Sequence, residues 1–312
     1  MIGRGRDLSE KRDRLCLEVR SVKAQRLDLF VLYNLNWKSR ARIQSLIRDG
    51  KILLNGEPSK PSRKVRSGEK VTVHLSQGTG LPEDYGNLEI DVLYEDSWLL
   101  AVNKPAGLLV HPVGRHVYDT LINYLHHRYR GVTGEDGLPV RPRLCHRIDR
   151  DTTGLLVAAK DSQVHRDVQC QFEDRHVSKE YVALVTGTYP RDEDLLEVPI
   201  GEGRTLETCL EHRVLKDSRT GVRVLKRYQN HTLLACLPHT GRQNQIRVHL
   251  AAQGFPIHGD VQYGAPRPLA ELPQRYLLHS SRLKFYHPRE KVWVDLRAPL
   301  PADFQNVIDC LE

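Results

Sequence analysis

Leu144–Lys160 reads LCHRIDRDTTGLLVAAK, and the two halves of this stretch make opposite demands on water. Leu155, Leu156, Val157, Ala158 and Ala159 form a continuous apolar run suited to a buried strand, with Thr152, Thr153 and Gly154 reading as the turn that feeds it. Ahead of that turn stand His146, Arg147, Asp149, Arg150 and Asp151. So many charges before an apolar strand cannot be wholly buried unless they pair with one another or meet a ligand. A charged knot therefore sits at the mouth of a core strand, and loops anchored on rigid strands are where chemistry concentrates. The plain alternative is a solvated turn in which Asp149 and Asp151 cap backbone amides and the arginines face water. Taken alone, the stretch leaves both readings open.

Toward the N-terminus the pattern changes. A helix is expected from about Ala24 to Leu35, with Leu27, Val31 and Leu35 at helical spacing. Ser39 reads as the N-cap of a second helix, Arg40–Asp49, which gathers Ile43, Leu46 and Ile47 on one face and ends at Gly50. A strand at Ile52–Leu54 breaks at Asn55-Gly56, and Val71, Val73 and Leu75 alternate as a closing strand after Ser67-Gly68. These limits divide the chain into a polar, loosely ordered N-terminus (1–20), a small module (21–76), a Gly/Pro-rich linker (77–88) and a larger domain (89–312).

In the larger domain strands are expected at Ile90–Tyr94 and Trp98–Val102, the latter ending at Asn103–Gly107 and resuming at Leu108–Val110. A helix follows from Leu121 to about Arg130. Beyond the central stretch come a helix marked by Val164, Val168 and Phe172, a strand at His176–Val185, an apolar strand from Leu233 and a helix after Gly241. Leu277–Leu296 alternates as strands, and Asp303–Leu311 reads as a closing helix.

The 312 residues carry a formal charge of +8. Residues 1–80 hold 18 Lys+Arg against 8 Asp+Glu, a net +10, so the rest of the chain is close to neutral at −2. Such asymmetry suits a polyanionic partner held by the N-terminal quarter, although basic residues on an amphipathic helix are commonly just its solvated face. Cys16, Cys145, Cys170, Cys209, Cys236 and Cys310 are scattered without a C-x-x-C pair, which reads as reduced, mostly buried thiols of a cytoplasmic protein. No H-E-x-x-H and no Gly-Lys-Ser/Thr phrase is present, so neither metal nor nucleotide cofactor is expected. No apolar run approaches the roughly 18 residues of a membrane helix.

The phrase around Asp149 closely resembles the first signature of the RluA/RluD-type pseudouridine synthases, in which His-Arg-Leu-Asp-Arg precedes a Thr-Ser-Gly turn and an apolar strand. Two further phrases follow in that family's order: Ser178-Lys179-Glu180-Tyr181, and His239–Leu250 (HTGRQNQIRVHL) with Pro256–Asp260 and Tyr263-Gly264 behind it. The resemblance implies that Asp149 is the catalytic carboxylate, Tyr181 the aromatic that stacks on the target base, and Arg247 the basic partner of Asp149. Arg242 would serve structure or phosphate binding, and Arg147 would fill the stack vacated by an extruded uridine. This chain has Asn244 where the family usually has histidine and Thr153 where it usually has serine, departures expected to touch no catalytic group. Residues 197–227 match only faintly. Arg26-Leu27-Asp28, Ser39-Arg40, Gly50, Asn55-Gly56 and Gly68-Glu69 resemble the small S4-type RNA-binding module, which makes Arg40, Arg42, Arg48 and Lys51 candidate phosphate contacts.

The implied fold is α+β: a largely antiparallel mixed sheet with flanking helices around a central cleft, preceded by a small α+β module. The implied activity is isomerisation of uridine to pseudouridine in RNA by a monomer without cofactor. Large-subunit ribosomal RNA is preferred to transfer RNA as substrate, because a tethered second module adds effective concentration only where RNA extends past the target loop. A non-catalytic RNA-binding or ribosome-assembly protein is the reading from another class. Asp149 beside Tyr181 and Arg247 speaks against it, since a pure binder has no use for a carboxylate that repels phosphate.

Overall fold

The computed structural model describes residues 14–20, 24–34, 40–74, 88–113, 118–134, 137–203 and 205–312. Leu35, Ser39, Leu75, most of the expected N-terminal segment and nearly all of the expected 77–88 linker lie outside them. The chain forms two compact units, Met1–Asn87 with His111–Arg128, and Leu88–Val110 with Tyr129–Glu312.

The first unit carries β1 (Arg14–Glu18), β2 (Gln25–Arg26), α1 (Leu27–Asn34), α2 (Arg40–Arg48), β3 (Ile52–Leu54), β4 (Glu57–Pro58), β5 (Lys64–Val65) and β6 (Lys70–His74). Its four-stranded sheet has the order β1-β6-β3-β4, and β2 pairs with β5. The first strand corrects the expectation of a loose segment through residue 20: Leu15 and Val19 are buried, and β1 bonds along the whole of β6. The pairing of β2 is why α1 begins at Leu27 and not at Ala24, since Gln25 and Arg26 bond across to Val65 and Lys64. Leu27, Phe30 and Val31 of α1 bury against Ile43, Leu46 and Ile47 of α2 and the sheet residues Ile52, Val71 and Val73. Asp28, fully buried, accepts two bonds from Arg26 (2.9 and 3.0 Å), two from Arg40 (both 3.2 Å) and one from Gln44 (2.7 Å). The Arg26 bonds, with Gln44 and Arg40 behind them, outweigh burial and hold its carboxyl well below the usual carboxylate range.

The second unit contains β7 (Asp91–Glu95), β8 (Leu99–Lys104), β9 (Arg143–Leu144), β10 (Thr153–Ala159), α4 (Ser162–Glu173), β11 (Ser178–Thr186), β12 (Glu193–Leu196), α5 (Leu206–Leu210), β13 (Thr220–Arg227), β14 (His231–Pro238), α6 (Gln245–Ala252), β15 (Leu278–Tyr286), β16 (Trp293–Arg297) and α7 (Ala302–Asp309); α3 (Leu121–Arg128) groups with the first unit. Its ten-stranded sheet runs β12-β13-β14-β11-β15-β10-β8-β7, with β16 on β15 and β9 on β10. Among the described strands only β10 and β15 pair in parallel. The α+β, mainly antiparallel architecture expected from the sequence is the one observed.

Helices cover both faces of the sheet, and the period-two alternation of each strand decides which helix it meets. Leu155, Val157 and Ala159 of β10 pack with Val164 and Val168 of α4. Along β11, Ala183 and Val185 bury with Ile246 and Leu250 of α6, whereas Val182 and Leu184 bury with Phe304, Val307 and Ile308 of α7. Every residue of β10 is buried, as its unbroken apolar run requires.

Gly154, expected in the turn, already belongs to β10. It has φ +105°, and a Cβ there would meet the Ser280 carbonyl oxygen at 2.2 Å, so the close parallel approach of β15 needs glycine at this point. Asn103 and Lys104 likewise continue β8, and Leu108–Val110 does not form a strand. Three of the six cysteines (Cys16, Cys170 and Cys310) are exposed, against the expectation of mostly buried thiols; all six are free.

Candidate active site

The loop between β9 and β10 carries Asp149, and several side chains fix its shape. Lys104, fully buried at the end of β8, donates to the carbonyls of Pro105 (2.8 Å), Leu108 (3.0 Å) and Arg150 (2.8 Å). Burial pulls its ammonium down to about 7, opposed by the charges of Asp151 and Asp149. Arg150 returns a bond to the Gly107 carbonyl (3.0 Å), so the turn after β8 and the Asp149 loop brace each other. No role for Asn103–Gly107 is legible from sequence; a lysine closing an apolar strand is the one signal that could have found it.

On the other side of the loop, His146 stacks on Phe172 with ring centroids 4.5 Å apart, and its Nε2 accepts the Val157 amide hydrogen at 3.1 Å. Burial, with the Lys179 charge adding to it, pulls His146 to about 3, so the ring is neutral and structural. Thr152 Oγ1 lies 3.3 Å from the Tyr276 hydroxyl, which joins this loop to the residues entering β15.

Arg247 projects from the first turn of α6 and is 5% exposed. Its nearest carboxylate is Asp260, also buried, which it grips at both oxygens: Nε to Oδ2 at 2.7 Å and Nη2 to Oδ1 at 2.8 Å. Gln262 Oε1 accepts from Nη2 at 3.0 Å and Asn244 Oδ1 from Nη1 at 3.3 Å. The guanidinium carbon sits 4.0 Å from the Tyr276 ring centre and 4.7 Å from that of Tyr263. Asp149 Oδ2 is farther off, 4.0 Å from Nη1. Arg247 is thus anchored by Asp260 and faces Asp149 with what remains. Asn244, where the family usually has histidine, does touch this group, contrary to expectation: it takes the left-handed backbone (φ 54°) that asparagine tolerates, and its Nδ2 donates to the Tyr263 hydroxyl at 2.8 Å.

The Asp149 carboxylate keeps 28% of its side-chain surface open to the cleft. Surrounding protein still displaces enough water to raise its pKa, with Arg247, Arg147 and Lys104 opposing that rise and Asp260 adding to it. Burial thus outweighs the three cations, although Arg247 still pulls Asp149 toward its charged form. Tyr181, from β11, lines the same cleft, and burial pushes its phenol up to about 12 with the Asp149 charge adding to the effect.

These residues meet in a cleft of about 720 Å³, whose wall includes Asp149, Tyr181, Arg247, Arg147 and Arg242. Arg147 is exposed, and Arg242 Nε donates to the Asp217 carbonyl at 3.1 Å. Arg40, Arg42, Arg48 and Lys51 belong to the other unit, where all four are exposed and Arg40 is tied to Asp28. Among the described residues, no group of three or more His, Cys, Asp or Glu is placed to hold a metal ion, and no helix is long and apolar enough to cross a membrane. The cleft sets the Asp149 carboxylate beside a fixed cation and aromatic walls, with the exposed Glu173 also on its wall, which suits a flat, uncharged ring with a breakable bond to a neighbouring carbon.

Known proteins share this arrangement of sequence and fold. Residues 98–252 match the family model described as RNA pseudouridylate synthase, and residues 25–71 match the S4 domain. The chain is 36% identical over 290 residues to an RNA pseudouridine synthase of Bacillus subtilis, YlyB, described as uncharacterized, covering 93% of this chain and 95% of that protein. It is 33% identical over 321 residues to ribosomal large subunit pseudouridine synthase D of Neisseria meningitidis, covering 97% of this chain and 83% of that one. Human RNA pseudouridylate synthase domain containing 4 superposes with a TM-score of 0.58 at 28% identity, over 70% of this chain and 92% of that chain.

Proposed function

This chain belongs to the RNA pseudouridylate synthase family, and from that premise we propose that it isomerises uridines of large-subunit ribosomal RNA, with Asp149 as the catalytic carboxylate. The observation that carries the catalytic assignment is the setting of Asp149: a carboxylate open to a cleft, raised by burial, and faced by an arginine that a second carboxylate already anchors. The reaction breaks the bond between uracil N1 and ribose C1′, turns the ring, and joins its C5 to C1′; C5 gives up its proton and N1 takes one up, so no outside reactant beyond proton exchange is consumed. One carboxylate suffices, either by attacking the sugar or the base as a nucleophile or by removing a ribose proton as a base. Tyr181 supplies the face on which the ring rests, Arg247 orients Asp149, and Arg147 replaces the extruded nucleotide in its stack.

The ribosomal substrate is supported by the name of the Neisseria relative and by the net charge of +10 on residues 1–80. We assign 21–76 to RNA docking through Arg40, Arg42, Arg48 and Lys51, residues 77–88 to a linker, and 89–312 to catalysis. The test is a pseudouridine map of large-subunit ribosomal RNA and transfer RNA from cells with and without the protein. Ribosomal sites should disappear and return with the wild-type gene but not with Asp149→Asn. Loss confined to transfer RNA would overturn the substrate, and restoration by Asp149→Asn would overturn the catalytic assignment.

A further inference from the structure

Lys179 stands two residues before Tyr181 on β11, and the alternation of a strand puts both side chains on one face, where both line the active-site cleft. The Lys179 side chain is half-buried, yet among the described residues its ammonium makes no hydrogen bond and no ion pair. Its surroundings add no counter-charge: His146 on one side is neutral, and Arg175 on the other is a second cation. Burial, reinforced by Arg175, pulls the Lys179 ammonium below its usual range. Arg175 holds a left-handed backbone (φ 62°) at the end of α4 and likewise has no side-chain partner among the described residues. Glu173 also lines the cleft but pairs with neither.

These two cations sit where two cavities join. The catalytic cleft shares Arg175, Lys179, Pro238, His239 and Thr240 with a larger groove of about 1010 Å³. The far wall of that groove includes Glu197, Pro199 and Asp217–Arg219, from the segment that matches the family pattern only faintly. Glu197 is neutralised by Arg219 at 2.6 Å. A desolvated ammonium without a partner is costly, and the arrangement becomes favourable when an anion enters between the two cations.

We propose that Lys179 and Arg175 form a phosphodiester site at the junction, which seats the backbone phosphate next to the target uridine and directs the flanking strand into the groove. This rests on the proposed RNA substrate and adds the strand path and the wall that reads it. A cation at the junction holds the phosphate while the base lies against Tyr181, so residues 197–227 meet the nucleotides beside the target and select sequence context.

The test is a double-mutant cycle between protein and RNA. The probe is a fluorescein-labelled stem-loop of large-subunit ribosomal RNA containing a mapped target uridine, with single neutral methylphosphonates placed in turn at each phosphodiester flanking it. Binding to the full-length protein is read by anisotropy, and product formation is read in single turnover. Lys179→Met should weaken binding at least about tenfold, with a smaller effect on the rate once bound. Its log-log salt slope should fall by roughly 0.7–0.9. One methylphosphonate position should weaken wild type equally while leaving Lys179→Met unaffected. Lys179→Arg should restore most of the affinity, which a purely packing role would not predict. If the two penalties multiply at every position, or Lys179→Met binds like wild type, the phosphate site is wrong. Should Lys179→Met not fold, the exposed Arg175→Gln carries the same cycle: coupling at one phosphate supports the site, and independent penalties throughout overturn it. An enzyme active on the stem-loop with no coupling sinks only this inference, whereas coupled binding without pseudouridine sinks the proposed activity.

Discussion

Two carboxylates share Arg247, and they should respond in opposite ways to loss of charge. Asp260→Asn removes one of the two oxygens that Arg247 grips at 2.7 and 2.8 Å and leaves the guanidinium buried with Asp149 at 4.0 Å as its remaining counter-charge. Breaking a buried pair by removing one partner costs about 3–5 kcal/mol. At roughly 2–4 °C per kcal/mol for a domain of this size, the Tm should fall by about 6–20 °C. Asp149→Asn should do the reverse. Because burial raises the folded-state pKa of Asp149 above its unfolded value, its ionised form is penalised at neutral pH, and the penalty disappears below the unfolded pKa. Asparagine removes that penalty, so this variant should be at least as stable as wild type near pH 7 and converge with it as acid protonates the wild-type carboxyl. Urea titrations followed by tryptophan fluorescence, with Trp98 and Trp293 reporting on this unit, would measure both. An Asp260→Asn protein within about 1 kcal/mol of wild type, well short of the cost of a broken buried pair, would mean that the tyrosine rings and Asp149 hold Arg247 unaided, and the anchoring scheme would be refuted.

The pH profile gives a second check. If Asp149 must be ionised to act, the acid limb of kcat/KM should lie above the ordinary aspartate value of about 3.9, since activity is lost as pH falls through a raised pKa. A limb at or below that value would show that the cations outweigh burial. Lys104→Met should cost at least about 2 kcal/mol by stranding the Pro105, Leu108 and Arg150 carbonyls. It should also lower kcat more than it raises KM and speed amide exchange across Arg150–Thr152; unchanged exchange there would deny Lys104 its bracing role.

How much of the molecule is legible in its sequence depends on the range of the interaction. The buried strand at Leu155–Ala159, the amphipathic Arg40–Arg48 helix and the α+β class follow from local periodicity and turn residues, and the structure has them. Asp149, Tyr181 and Arg247 stand in three phrases matched in order, and they line one cleft. What a linear string hides is who partners whom. Asp260 stands in a matched phrase without a role, because nothing along the chain says that the segment after α6 folds back to set its carboxylate on Arg247. Tyr263 stands in the same matched phrase without a role and Tyr276 carries no signal, yet both rings stack on Arg247. Asn244 gives no warning of its contact, which depends on a positive φ that no periodicity reports. Arg40 reads as a free surface cation, and only the fold brings it to Asp28.

The parallel pairing of β10 with β15 has a consequence in time. Gly154 and Ser280 lie side by side, and Thr152 reaches Tyr276 across 124 residues of chain. Contacts of such separation form late, because the intervening loop must be closed before they return any free energy. During synthesis, therefore, the Asp149 loop leaves the ribosome long before the strand and the tyrosine that complete its cleft. The nascent chain thus presents its basic N-terminal module while the cleft does not yet exist, an interval of well over a hundred residues of translation.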